Sequence, residues 1–257
     1  MRRLTFLGTG DPLNAERAQT SLALALADGD TLLLDTGSGT GLLRQLAGAR
    51  LALPAIRHIV VSHAHFDHAG GLAPLLVALA ALPAARVTVH ASAPVGHALR
   101  KVLALVIPGV EEWLGPRLDW HVLPLGIPVA IADLALTAFP VEHGIPTTGF
   151  RIAQRGHTLT FSADTVPCTA LDEAARGADL LIHEAYGLDD AAADAHRFGH
   201  ATAADAGRTA CAGGVARLIL THLRGQAHAD PAALIAEAAA HYPGPISAAR
   251  DLDVLAW

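Results

Sequence analysis

Four side chains able to bind a metal ion stand within positions 63–68, in the run His63-Ala64-His65-Phe66-Asp67-His68. In an extended stretch residues i and i+2 point the same way, so His63 and His65 can address one ion. Asp67 and His68 fall at the turn toward the following helix and would face a second ion beside the first. Gly70-Gly71 lets the backbone approach closely there. The chain carries 15 histidines, a residue that also works as general acid or base near neutrality. No Gly-x-Ser-x-Gly elbow and no reactive cysteine setting competes for the chemistry.

The elements that position these residues follow from the pattern around them. Ile56–Ser62 is β-branched and bounded by Pro54, so a buried strand is predicted that runs straight into His63. Before it, Leu4–Gly8, Ser21–Ala27 and Thr31–Asp35 read as strands, the last two joined by an Asp28-Gly29 turn, and a helix covers Gly41–Ala47. After it come a helix over Leu72–Leu82, a strand at Val87–His90 and a helix at Pro94–Val106. Short apolar runs between Leu118 and Pro140 suggest a meander, and Phe150–Ala153 with Thr158–Ser162 a hairpin around Arg155-Gly156. Leu180–His183 and Ala216–Thr221 are further strands. Thr202 with Asp205 forms a capping box for a helix that Gly213-Gly214 stops, and Asp230-Pro231 opens another that ends before Pro243-Gly244. Strands that first cluster and then alternate with helices give an α/β or α+β class.

The run His-x-His-x-Asp-His resembles the metallo-β-lactamase superfamily, and the remaining stations of that family follow in order. They are His143 in Val-Glu-His-Gly-Ile-Pro, Asp164 in Phe-Ser-Ala-Asp-Thr, and His222 in Leu-Ile-Leu-Thr-His. Within the family the chain is most similar to ribonuclease Z and its phosphodiesterase relatives, through Leu-Ile-His183-Glu184-Ala and His200-Ala-Thr202-Ala, with Gly8-Thr9-Gly10 and Leu-Leu-Leu-Asp35-Thr-Gly in agreement. The resemblance implies one domain over residues 1–257, a four-layer αβ/βα sandwich of two mixed sheets flanked by helices. It implies two divalent ions: one held by His63, His65 and His143, the other by Asp67, His68 and His222, with Asp164 bridging. Imidazole and carboxylate suit zinc, with manganese or iron as alternatives. In two-metal sites the ions lie ~3.5–4 Å apart and acidify a bound water to a pKa near ~7, which gives a hydroxide nucleophile. Beside Asp67, the resemblance makes His200 and Glu184 catalytic: His200 protonates the leaving oxygen and Glu184 orients it. Asp35, at a strand end, is placed to support the metal loop. His58, His90, His97, His121, His157, His196, His228 and His241 match no station and read as structural or exposed.

Three departures separate the chain from tRNA processing. The tRNA-gripping arm of ribonuclease Z is inserted between the stations matching His143 and Asp164, and here only residues 144–163 lie between them. The N-terminal loop Leu13-Asn-Ala15-Glu16-Arg17-Ala18 has no lysine, and the usual Thr-His-(Ile or Phe)-Ser becomes Thr221-His222-Leu223-Arg224. The leading expectation is therefore a dinuclear-metal phosphodiesterase acting on small or short phosphodiesters. The alternatives are a tRNA 3′ endonuclease without the arm, a hydrolase of a lactone or sulfate ester, and a non-catalytic metal-binding module.

Composition agrees. Hydrophobic residues are 52%, charged residues 16%, and the net charge is −6, with Lys101 the one lysine and no basic run, so the footprint of a general nucleic-acid binder is missing. The apolar stretch after Met1-Arg2-Arg3 is too short for a signal peptide, and the uncharged run Ala69–Ala85 is broken by Pro74 and Pro83. A cytoplasmic protein without a membrane partner is expected, with Ala/Leu-rich helix faces that leave room for a homodimer. Cys168 and Cys211 form no Cys-x-x-Cys pair and read as free buried thiols.

Overall fold

The computed structural model describes residues 3–225 and 230–257, so Met1, Arg2 and His228 lie outside the described residues. The first half of the chain forms β1 (Arg3–Gly8), β2 (Ser21–Ala25), β3 (Thr31–Leu34), α1 (Gly41–Gly48), β4 (Ile56–Val60), α2 (Phe66–Ala69), α3 (Leu72–Ala80), β5 (Val87–Ala91), α4 (Ala93–Val106), α5 (Val110–Leu114) and β6 (Leu118–Val122). The second half forms β7 (Val129–Ile131), β8 (Leu134–Val141), β9 (Thr147–Gln154), β10 (His157–Phe161), α6 (Thr169–Ala175), β11 (Leu180–Glu184), α7 (Ala192–Arg197), α8 (Ala203–Gly213), β12 (Leu218–Thr221), α9 (Pro231–Ala239), β13 (Ile246–Ala248) and β14 (Val254–Ala256).

Two seven-stranded sheets result, in the orders β14-β1-β2-β3-β4-β5-β6 and β13-β12-β11-β10-β9-β8-β7. Each is mixed. Strands β3 to β6 run parallel, as do β10 to β13, while the remaining neighbours are antiparallel. The alternation of side chains along each strand separates three apolar layers. Phe6, Leu24 and Leu34 of the first sheet meet Leu136, Phe150 and Phe161 of the second in the centre. On the outer face of the first sheet Leu33, Ile59 and Val89 pack under Leu46, Leu76 and Leu99 of the helices. Leu181 and Leu220 on the outer face of the second sheet pack under Leu171, Ala206 and Leu234. This is the expected four-layer sandwich.

Local signals place most boundaries. The Thr202 hydroxyl accepts from the Asp205 amide and the Asp205 carboxylate accepts from the Thr202 amide, the reciprocal cap of α8, which Gly214 closes in the left-handed region. Asp230 caps α9 with Pro231 at its first position, but the helix stops at Ala239, ahead of the Pro243-Gly244 punctuation. The expected meander is divided, since β6 joins the first sheet and only β7 and β8 belong to the second. Cys168 is buried, whereas Cys211 is exposed on α8 and so corrects the reading of two buried thiols. No single helix among the described residues is long and apolar enough to cross a membrane.

Candidate metal centre

The loop after β4 carries His63 and His65, α2 carries Asp67 and His68, the loops after β10 and β12 carry Asp164 and His222, and the turn between β8 and β9 carries His143. All seven of these side chains meet at one edge of the sandwich. His63 Nε2 lies 3.1 Å from His65 Nδ1, which lies 3.1 Å from His143 Nε2. Asp164 Oδ2 stands 3.7 and 3.9 Å from the first and last of these nitrogens. Two nitrogens bound to one tetrahedral ion at ~2.1 Å would be roughly 3.4 Å apart, close to these spacings. The same Asp164 oxygen is 3.1 Å from His68 Nε2 and 3.4 Å from His222 Nε2, and Asp67 Oδ2 is 3.3 Å from each of those two nitrogens. Two donor groups thus form, His63, His65, His143 with Asp164 and Asp67, His68, His222 with Asp164, sharing one carboxylate.

Hydrogen bonds on the far side of the His143, His68 and His63 rings turn their other nitrogens inward. His143 Nδ1 donates to the carbonyl of Gly199 over 2.7 Å. Gly199 has φ 82°, and a Cβ there would stand 2.7 Å from that nitrogen, so only glycine fits. His68 Nδ1 donates to Asp35 over 2.8 Å. The Ser62 hydroxyl donates to Asp35 over 2.7 Å and accepts from His63 Nδ1 over 2.9 Å, while the Ser62 amide donates to the other Asp35 oxygen. The buried Asp35 therefore fixes one imidazole of each donor group, in the supporting place expected of it. Gly70 and Gly71 close the loop, where a side chain would collide with the carbonyls of Phe66 and Thr36.

Electrostatics point the same way. Burial and the neighbouring imidazoles hold His63 well below the usual histidine range. Burial also opposes charge on His68 and His222, but Asp164 and the other carboxylates outweigh it, raising His68 well above its ordinary value and His222 to about 9. Asp164 is buried yet held well below the usual carboxylate range by His222 and His68. The carboxylates thus demand positive charge at this spot. His68 Nε2, Asp164 Oδ1 and His222 Nδ1 are buried without a hydrogen-bond partner among the described residues. The orphaned inward nitrogen of His68, a nitrogen and oxygen donor set, and the buried carboxylates fit divalent cations.

His200 and Glu184 adjoin this centre. Glu184 Oε1 accepts from the Thr165 amide over 2.5 Å, and Oε2 accepts from His200 Nδ1 over 3.0 Å. Glu184 is 1% exposed, so it is a buried carboxylate and not a surface one. Burial opposes the charge on His200, but Glu184 outweighs it and raises the imidazole above its ordinary value. The ring of His200 stacks between those of His222, 5.2 Å away, and Tyr186, 4.6 Å away. Glu184, His200 and His222 also lie close enough to count as a donor cluster, but His200 Nδ1 is already committed to Glu184. His183 donates to a backbone carbonyl and packs.

Two features had no sequence signal. Tyr186 and Arg224 stack beside His200, in a contact set by the sandwich. His58, His90 and His121 line up across β4, β5 and β6, with 3.1 Å between His58 Nδ1 and His90 Nε2 and 3.3 Å between His90 Nδ1 and His121 Nδ1. They engage opposite nitrogens of His90, so they do not converge on one point. Burial and the flanking imidazoles push His90 down to about 3.

Residues 30–223 match the family model for a β-lactamase superfamily domain. The chain is 29% identical to ribonuclease Z of Myxococcus xanthus over 299 aligned positions, covering 97% of this chain and 95% of that one. That alignment is longer than the chain, so the relative has stretches without a counterpart here. Among solved structures, the metallo-β-lactamase fold protein YhfI of Bacillus subtilis superposes with a TM-score of 0.86 at 22% identity, covering 99% of this chain and 98% of its own. Human tRNase Z, short form, superposes with a TM-score of 0.77 at 23% identity and the same coverage.

Proposed function

The chain belongs to the β-lactamase superfamily, and from that premise we propose that it is a metal-dependent phosphodiesterase acting on small or short phosphodiesters. The observation that carries the reading is the single buried carboxylate, Asp164, shared by two groups of inward-turned imidazoles. His63, His65 and His143 would hold one ion and Asp67, His68 and His222 the other, with zinc suiting the donors best. When bound, two such ions polarise a phosphoryl group and acidify water.

The chain's own residues do the rest. His63 and His68 are held in the ligand tautomer through Ser62 and Asp35, so their inner nitrogens carry lone pairs when the site is loaded. His200 donates its Nδ1 proton to Glu184, which leaves its Nε2–H free to protonate a departing alkoxide. Glu184 raises the His200 pKa above the ordinary histidine value, which favours the protonated form, and a general acid of this kind contributes about 10²–10⁴ in rate. Glu184 positions His200 and ties the Asp164–Thr165 turn to it through the Thr165 amide.

The substrate reading rests on three features. Residues 144–163 are taken up by β9, β10 and short connections, which leaves no room for an arm. The N-terminal loop carries no lysine, and the net charge is −6. RNA affinity comes chiefly from phosphate contacts by basic residues, so a folded tRNA would lack most of its binding energy. A second reading, tRNA 3′-end processing, is favoured by the ribonuclease Z relative.

The test compares kcat/KM on bis(p-nitrophenyl) phosphate and cyclic nucleotides with cleavage of precursor tRNA at matched salt. Preference for the small diesters supports the proposal. Efficient, site-specific tRNA cleavage with a steep salt dependence promotes the second reading, and preference for a lactone or sulfate ester discards both.

A further inference from the structure

Arg224, which replaces the serine expected after Thr221-His222-Leu223, has an unusual setting. Its guanidinium lies 4.5 Å from the centroid of the Tyr186 ring. Tyr186 in turn stacks on His200 with ring planes only 1° apart. A column is formed of Arg224, Tyr186, His200 and His222, with the cation at the end away from the donor groups. The guanidinium carbon sits over the face of the tyrosine ring, which anchors the side chain there.

Among the described residues Arg224 Nε makes no hydrogen bond. Its ion-pair partner among the described residues is Asp11, which is 1% exposed and whose Oδ2 lies 3.8 Å from Arg224 Nε, too far for a hydrogen bond. Both atoms are buried and lack a hydrogen-bond partner among the described residues. A guanidinium anchored over an aromatic ring, with its side chain 23% exposed and no hydrogen bond to the described residues, is a preorganised receptor for a tetrahedral oxyanion.

We propose that Arg224 binds a second phosphate of the substrate, on the leaving-group side, so that this enzyme selects phosphodiesters that carry one. The inference rests on the phosphodiesterase reading, and specifically on His200 as proton donor. The tyrosine ring separates Arg224 from His200, so Arg224 addresses a group beyond the leaving oxygen and not the scissile phosphorus. The same arrangement makes Tyr186 a positioning residue for both neighbours.

The experiment measures equilibrium binding of a nucleoside 3′,5′-bisphosphate and of the corresponding 3′- and 5′-monophosphates to the zinc-loaded protein. The wild type should bind the bisphosphate about tenfold more tightly than either monophosphate, the value of one charge-assisted hydrogen bond. Arg224→Gln should bring that ratio close to one, and Arg224→Lys should restore part of it. A ratio near one in the wild type, or the same ratio in Arg224→Gln, overturns the inference. A ratio unchanged in Arg224→Gln, together with a lowered Tm that Asp11→Asn restores, would assign Arg224 to charge neutralisation alone and overturn it too. Turnover of a dinucleotide with and without a terminal phosphate separates the two readings. If no phosphodiester is hydrolysed while the binding ratio still depends on Arg224, the phosphate site stands and the hydrolase assignment falls.

Discussion

Replacing Asp35 should damage the centre in two separable ways. Its carboxylate is fully buried and accepts three hydrogen bonds, from the Ser62 amide and hydroxyl at 2.7 Å each and from His68 Nδ1 at 2.8 Å. Asp35→Ala leaves three buried donors without a partner, at roughly 1–3 kcal/mol each before the serine hydroxyl and the imidazole relax. Asp35 also has φ 57°, a left-handed conformation that costs alanine about 1 kcal/mol more than aspartate or asparagine. A loss of about 3–6 kcal/mol follows, a large part of the 5–15 kcal/mol typical of a folded chain. Asp35→Asn should behave differently. Asparagine tolerates the backbone and can still accept from the Ser62 amide, but its NH₂ group then faces His68 Nδ1. The ring relieves that clash by moving its proton to Nε2, the nitrogen that points at Asp164 and Asp67. Asparagine should therefore cost only about 1–2 kcal/mol in stability while lowering zinc affinity about 10–100-fold. Urea unfolding of chelator-treated protein reads the first effect, and zinc titration against a chromophoric competitor reads the second. An Asp35→Asn protein that takes up zinc as tightly as the wild type would refute the tautomer argument. An Asp35→Ala protein within about 0.5 kcal/mol of wild type would refute the hydrogen-bond ledger.

Protein purified with zinc should contain close to two equivalents by elemental analysis, and Asp164→Ala should lower occupancy of both donor groups, whereas His97→Ala or His241→Ala should change neither. One equivalent in the wild type would sink the shared-carboxylate arrangement. His200→Ala should keep its metal and lose turnover, with a penalty that shrinks on esters with a nitrophenolate leaving group; equal penalties on activated and unactivated diesters would remove the proton-donor role. His90 is buried, and its pKa falls to about 3 from an ordinary 6.5. The unfolded chain binds a proton below 6.5 that the fold refuses until about 3, so stability is lost as pH falls through this window. His90→Gln should flatten that loss, worth on the order of a few kcal/mol, and an acid-unfolding midpoint that stays in place in chelator-treated protein would count against it.

How far the sequence could be read depended on where the information lay. His63, His65, Asp67 and His68 are neighbours in the chain, so their pattern survives without any knowledge of the sheets. His143, Asp164 and His222 were assigned through family resemblance alone, since each stands at the end of a different strand and nothing in its surroundings marks a metal-facing side chain. The long, well-capped helix α8 was legible because Thr202, Asp205 and Gly214 act locally. Strands β13 and β14 were missed because three-residue strands have too few positions to show a period. The His58–His90–His121 chain and the Arg224–Tyr186–His200 column were out of reach for a further reason. The first depends on the register that sets His90 opposite His121, and the second brings the segment after β11 against the segment after β12. Backbone strain was equally hidden. Asp35, Ala163 and His222 have φ values of 57°, 54° and 54°, a conformation that costs a non-glycine residue roughly 1–2 kcal/mol. All three sit just past strands that border the donor groups. Each left-handed residue turns the chain sharply out of its sheet, and these turns bring Asp35, Asp164 and His222 together. Local propensity therefore fails at the positions where the fold departs from it to make the donors converge.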